Sequence, residues 1–107
     1  MSFSTTSTNV RLEDGHILVA TCTDADGNSH ESKLDLDDFI GNDNGWFAWD
    51  RENFSHSAKD VRLRDGYFLI AELPKRDGGY RETQGIDLNQ RISNDNGKLV
   101  FGKSFTA

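Results

Sequence analysis

The sequence predicts an all-β fold, a single pseudo-symmetric domain over 1–107 made of two matched repeats, 1–53 and 54–107. Three observations carry that reading. The skeleton D-L-x-x-x-I-x-N-D-N-G is written twice, at 35–45 and at 87–97. Apolar or β-branched runs of strand length are cut off by Asp-Gly or Asn-Gly, dipeptides that accept positive φ at little steric cost. No segment sustains the 3.6-residue spacing of a long helix.

Each element follows in chain order. Phe3-Ser4 and then Asn9-Val10-Arg11-Leu12 match Phe54-Ser55 and Asp60-Val61-Arg62-Leu63 at an offset of 51 (3 to 54). Val10 to Leu12 alternates as a short strand and stops at Asp14-Gly15. The run 16–22 is a second strand, closed by the polar turn 24–28, and 29–36 returns as the other arm of a hairpin. In the second repeat 67–73 takes the part of 16–22 and turns at 75–79. Pro74 falls at the strand's end, where a missing amide donor costs least. An insertion near Gly85 moves the offset to 52 (45 to 97), after which the repeated skeleton aligns. Short helical turns are expected at 4–8, 36–40, 55–60 and 88–92, and the tail 102–107 reads as loose.

Two copies of about fifty residues are too few for a solenoid, and one alone buries too little surface to fold. The copies therefore share one core, assigned to Phe3, Ile17, Leu36, Ile40, Trp49, Phe54, Phe68, Leu88, Ile92 and Phe101. Trp46 is matched by Lys98, so symmetry does not place it in the core, and partial exposure is expected.

The formal charge of −6 disfavours a nucleic-acid partner, which needs a basic face, and an anionic membrane surface. Cys22 is alone, so no intramolecular disulfide forms; with an N-terminus that lacks a basic start and an apolar run, this gives a cytoplasmic expectation. No stretch reaches membrane-spanning length.

With the duplication laid out, the sequence resembles the cyanovirin-N homologues, small two-repeat sugar-binding proteins, over about 3–101. The resemblance rests on the paired I-x-N-x-x-G segments, 40–45 and 92–97, each preceded by Asp-Leu, and on Trp49 followed by Asn53-Phe54. It implies an elongated fold in which each half takes segments from both repeats. It further implies one or two shallow polar sites for terminal α1,2-linked mannose of high-mannose glycans, with no cofactor and no metal. Carried over residue by residue, the first site is lined by Phe3, Ser4, Thr5, Thr6 and Ser7, by Thr23, Asp24, Ala25 and Asp26, and by Ser93, Asn94, Asp95 and Asn96. The second uses Gly41, Asn42, Asp43 and Asn44, then Asp50, Arg51, Glu52 and Asn53 with His56 and Ser57, and finally Pro74, Lys75, Arg76, Asp77 and Gly78. The two disulfides of the founding member have no counterpart, since Thr8 with Cys22 and Ala58 with Leu73 hold their positions. Arg51 stands where the founder's linker has proline, which favours a monomer over a strand-exchanged dimer.

The chemistry suits a sugar. Mannose hydroxyls both donate and accept, and Asp, Asn, Ser and Thr side chains on glycine-bearing turns are short, rigid partners. A shallow site of that kind binds on the order of micromolar to millimolar, because each bond nets only about 1 kcal/mol against water. The alternative is a domain that keeps the fold with degenerate, sugar-blind sites, since Asx-Gly turns are also ordinary hairpin chemistry. Catalysis is disfavoured because the carboxylates sit in turns and no apolar pocket raises one as an acid. His16, His30 and His56 show no metal or triad spacing. Asp24-x-Asp26-Gly27 lacks the later ligands of a calcium loop.

Overall fold

The computed structural model describes residues 3–102; all but the first residue of the expected loose tail lies outside them. Within that span the first repeat forms η1 (Phe3–Thr6), β1 (Ser7–Glu13), β2 (Ile17–Thr23), β3 (Ser29–Asp35), η2 (Leu36–Asp38), β4 (Ile40–Asp43) and β5 (Trp46–Trp49). The second repeats the series as η3 (Phe54–His56), β6 (Lys59–Arg64), β7 (Phe68–Glu72), β8 (Gln84–Asp87), η4 (Leu88–Gln90), β9 (Ile92–Asp95) and β10 (Lys98–Phe101). Each η element is one 3-10 turn, and the four lie at or beside the expected helical positions.

The duplication is visible in backbone detail. β1 carries a bulge at left-handed Asn9 (φ 54°), and β6 carries the same bulge at Asp60 (φ 54°). Arg11 donates from its guanidinium to the Asn9 carbonyl at 3.0 Å, and Arg62 to the Asp60 carbonyl at 2.8 Å. The Asn44-Gly45 and Asn96-Gly97 turns have φ of 52° and 91°, and of 52° and 94°. Both positions of each turn are left-handed, which matches the twist of the flanking strands. Asp35 and Asp87 cap η2 and η4, each accepting from the backbone N–H two residues on.

Two three-stranded antiparallel sheets, β1-β2-β3 and β6-β7-β8, are joined by two hairpins, β4-β5 and β9-β10. The hairpins are exchanged. β10 lies against β3 and β9 against η1, while β5 lies against β8 and β4 against η3. One half is therefore β1–β3 closed by the second repeat's hairpin; the other is β6–β8 closed by the first repeat's. The molecule measures 51 × 30 × 20 Å, elongated as expected.

Phe3, Leu36, Ile40, Phe54, Leu88 and Ile92 are fully buried, as assigned. Ile17 and Phe68 are not: they lie one residue out of register with the inward face. That face is Leu18, Ala20 and Cys22 on β2, with Leu69 on β7. Phe68 instead covers Gly85 on the opposite face, where a Cβ would collide with its ring, and Arg64 caps that ring at 4.9 Å. A uniformly apolar strand does not show its parity, and a slip of one residue exchanges the two faces. Trp49 and Phe101 are half-buried: Phe101 stacks on Phe39 at 4.2 Å, and Trp49 leans on it at 5.7 Å. Cys22 is buried and unbridged, a small hydrophobe in β2.

Candidate functional site

Each hairpin turn is fastened to a neighbouring loop by the asparagines of the repeated motif. In the second site Asn42 accepts from the Gly45 N–H at 2.7 Å and donates from Nδ2 to the Pro74 carbonyl at 2.9 Å. Asn44 accepts from the Arg76 N–H at 2.8 Å, and Arg81 donates to the Asn44 carbonyl at 3.0 Å. The first site repeats this: Asn94 accepts from Gly97 N–H and donates to Thr6 Oγ1 and the Thr23 carbonyl, both at 2.9 Å. Asn96 accepts from the Ala25 N–H at 2.8 Å. Asn42 and Asn94 thus spend their amides in joining loop to hairpin; they build the site's wall.

The loop 74–79 closes on itself through Lys75 N–H to the Gly79 carbonyl at 2.7 Å. Asp77 folds back onto the Gly79 N–H at 3.0 Å, and that bond, with Lys75 beside it, holds the carboxyl below the usual carboxylate range. What remains is a shallow cleft of about 360 Å³ lined by Asn42, Asp43, Asn44, Arg51, Pro74, Lys75 and Arg76. The Arg76 side chain is 80% exposed, and its guanidinium stands 3.4 Å from Asp43 Oδ1. A second cleft of about 650 Å³ shares Asn42 and Arg51 and adds Asp38, Phe39, Asp50, Glu52, Asn53 and Phe101. Asp38, Phe39 and Phe101 were not expected there. Asp38 and Phe39 lie just before the segment carried over, and Phe101, from the second repeat, joins the wall by stacking on Phe39. Trp46, 48% exposed as expected, lies under the Arg81 guanidinium at 4.0 Å.

Several expected lining residues sit elsewhere. Gly41 is buried: a Cβ there would meet Arg51 Cβ at 2.5 Å and the Glu52 carbonyl at 2.9 Å, so the linker has settled onto it. His56 points toward Asp37 (4.0 Å), and the Ser57 carbonyl is taken by the Tyr80 hydroxyl at 3.1 Å; neither lines the two clefts. Asp77 and Gly78 do not line them either.

In the first site Phe3 is fully buried under η1 and offers a sugar nothing. Asp24 Oδ1 accepts from the N–H groups of Asp26 and Asn28, both at 2.9 Å, and Oδ2 contacts His30 Nε2 at 2.6 Å. The His30 bond leads in holding the Asp24 carboxyl below its ordinary range. Asp24 is thus a turn-former, not the first ligand of a calcium loop. His30 also packs where a Cβ on Gly97 would fall, at 2.6 Å, crowding the turn. Ser4 and Ser7 turn inward, to Asn89 and to Cys22 Sγ. Thr5, Thr6, Ala25, Asp26, Asp95 and Asn96 are exposed or half-exposed around this turn, and Ser93 is half-buried in β9. Ala25 stands where the second site has Arg76, so the first site lacks a guanidinium and its loop is acidic.

The profile of the CVNH domain family matches residues 3–100, nearly the whole described span. The chain belongs to the CVNH family. A curated cyanovirin-N homologue of Tuber borchii is 52% identical over 94% of this chain and 99% of its own, and the solved T. borchii structure superposes with a TM-score of 0.85. A solved complex of microvirin with mannobiose is 31% identical, covering 94% of this chain and 98% of that one, with a TM-score of 0.82. A complex of a MoCVNH3 variant with (N-GlcNAc)4 is 28% identical over 92% and 95%, with a TM-score of 0.85. This CVNH protein is a carbohydrate-binding lectin and not an enzyme.

Proposed function

We propose that this lectin takes terminal α1,2-linked mannose of high-mannose glycans, as a monomer, through the cleft between the β4-β5 turn and the loop 74–79. The observation that carries the reading is the open wall of Asp43, Asn44, Lys75 and Arg76, which sets carboxylate, backbone and guanidinium groups around a volume of about 360 Å³. The mannobiose held by the microvirin neighbour supports the sugar. Lone, buried Cys22 supports a reducing, cytoplasmic setting. The (N-GlcNAc)4 complex of the MoCVNH3 variant favours a second reading, a GlcNAc oligomer running on into the larger cleft along Phe39 and Phe101.

Titration of 15N-labelled protein with α1,2-mannobiose, and separately with the GlcNAc tetramer, tests both. The expected result is fast-exchange shifts at Asn44, Arg76 and their neighbours with mannobiose, saturating on the order of micromolar to millimolar. A response to the GlcNAc tetramer alone would replace the first reading by the second. Silence toward both sugars would leave a lectin whose glycan is neither.

A further inference from the structure

At the junction of the two repeats four potential metal ligands converge from three elements. His16 ends the β1–β2 turn, Asp35 and Asp37 flank the start of η2, and His56 ends η3 of the other repeat. His16 Nδ1 lies 2.8 Å from Asp35 Oδ1 and 3.5 Å from Asp37 Oδ2. One ligand atom from each of these three residues lies within 4.8 Å of the others. His56 Nε2 stands 4.0 Å from the same Asp37 oxygen. Asp37 is the buried charged residue of the described core, its side chain 8% exposed.

The second repeat supplies an internal control. Asp37 receives the Ser55 N–H at 3.0 Å and the Ser55 hydroxyl at 2.5 Å, fastening η3 to η2. At the equivalent place Asn89 receives the Ser4 N–H at 3.2 Å and donates to the Ser4 hydroxyl at 2.7 Å. An amide therefore makes the same fastening with no charge to desolvate. The positions matching His16 and His56 are Tyr67 and Thr5, so Asp37 and both imidazoles meet at one of the two pseudo-symmetric junctions and are all replaced at the other. Burying a carboxylate where an amide serves is costly unless a cation balances it.

We propose that His16, Asp35 and Asp37, completed by His56, bind one divalent transition-metal ion of the Zn²⁺ class across the repeat junction. Two imidazoles and two carboxylates suit zinc or its neighbours; calcium and magnesium want six or more oxygens or several retained waters. Tetrahedral zinc at 2.0–2.1 Å sets its ligand atoms about 3.3 Å apart. The 3.5 Å pair already fits, the 2.8 Å pair opens by half an ångström or so, and exposed His56 swings in from 4.0 Å. The ion takes the place of the proton that His16 Nδ1 donates to Asp35, and that proton passes to solvent. A bound ion would tie η3, and with it the linker whose Asn53 N–H bonds the Asp37 carbonyl at 2.8 Å, to the first repeat.

Tag-free, chelator-treated protein is titrated with ZnCl₂ by calorimetry, with imidazole 1H–15N spectra read in parallel and Co²⁺ as a spectroscopic stand-in. The expected result is one Zn²⁺ per chain, shifts centred on His16 and His56, and the intense visible bands of tetrahedral Co²⁺. Asp37→Asn, which reproduces the second repeat's arrangement and keeps the Ser55 fastening, should weaken Zn²⁺ at least about tenfold, as should His16→Gln. Wild-type affinity in folded Asp37→Asn, shifts at His30 in place of His16, or no heat at millimolar Zn²⁺ would each overturn the proposal.

Discussion

Replacing Asn42 by Ala separates two roles that the repeated motif could play. The side chain makes two partly buried hydrogen bonds, from Gly45 N–H at 2.7 Å and to the Pro74 carbonyl at 2.9 Å. Each nets about 1 kcal/mol, and Ala leaves both backbone partners behind, so the loss is about 2 kcal/mol. For a domain near 100 residues that lowers the unfolding midpoint by roughly 10 °C. Arg76→Ala is the counterpart: its guanidinium is largely in solvent, so stability should move by no more than about 0.5 kcal/mol while the mannobiose response of the second site disappears. Thermal and urea unfolding, with the 15N titration, read both quantities in one preparation. If Asn42→Ala unfolds with the wild-type midpoint, the asparagine is not the fastener described. If Arg76→Ala titrates unchanged, the sugar does not sit on that wall.

Three further outcomes follow from the packing. Gly85→Ala should cost about 1–3 kcal/mol by urea unfolding, because the new methyl occupies the place of the Phe68 ring. A chain of residues 1–53 alone should give the narrow amide dispersion of an unfolded polypeptide, since its sheet β1–β3 lacks the β9-β10 hairpin that closes it. Acid stability should respond to His30. Asp24 titrates lower in the fold than in the unfolded chain, so its contribution is complete above the ordinary carboxylate range and is lost as pH falls through the depressed value. His30→Gln removes the leading cause, so its unfolding midpoint should fall less steeply than wild type below about pH 4.

The turns were legible because their chemistry is local. Asn44-Gly45, Asn96-Gly97 and Asp14-Gly15 adopt the left-handed pairs their residues favour, whatever surrounds them. The repeat was legible because identical columns recur at a fixed offset, and the bulges at Asn9 and Asp60 show it reaching the backbone. The inward parity of β2 and β7 was not, because 16–22 and 67–73 are apolar on both faces. The site was legible in outline only. Carry-over named loops that the structure gathers around the two clefts, yet it cannot tell that Asn42 is occupied, that Gly41 lies beneath Arg51, or that His56 turns toward Asp37. Those facts depend on contacts between residues distant in the chain, as does the cluster at His16, whose members are spread from 16 to 56.

The exchange of hairpins also orders events on the ribosome. Residues of β4 through β8 run without interruption, so that half has all its strands once Asp87 has left the exit tunnel. The other half has its first strand at Ser7 and its last at Phe101, and must wait until β10 has been made. Until then β1–β3 present a side meant for β9-β10, and a nascent chain would shelter it by transient partners or by a neighbouring copy. Arrest at successive lengths, with protease probing of each nascent chain, should find the β4–β8 half protected first.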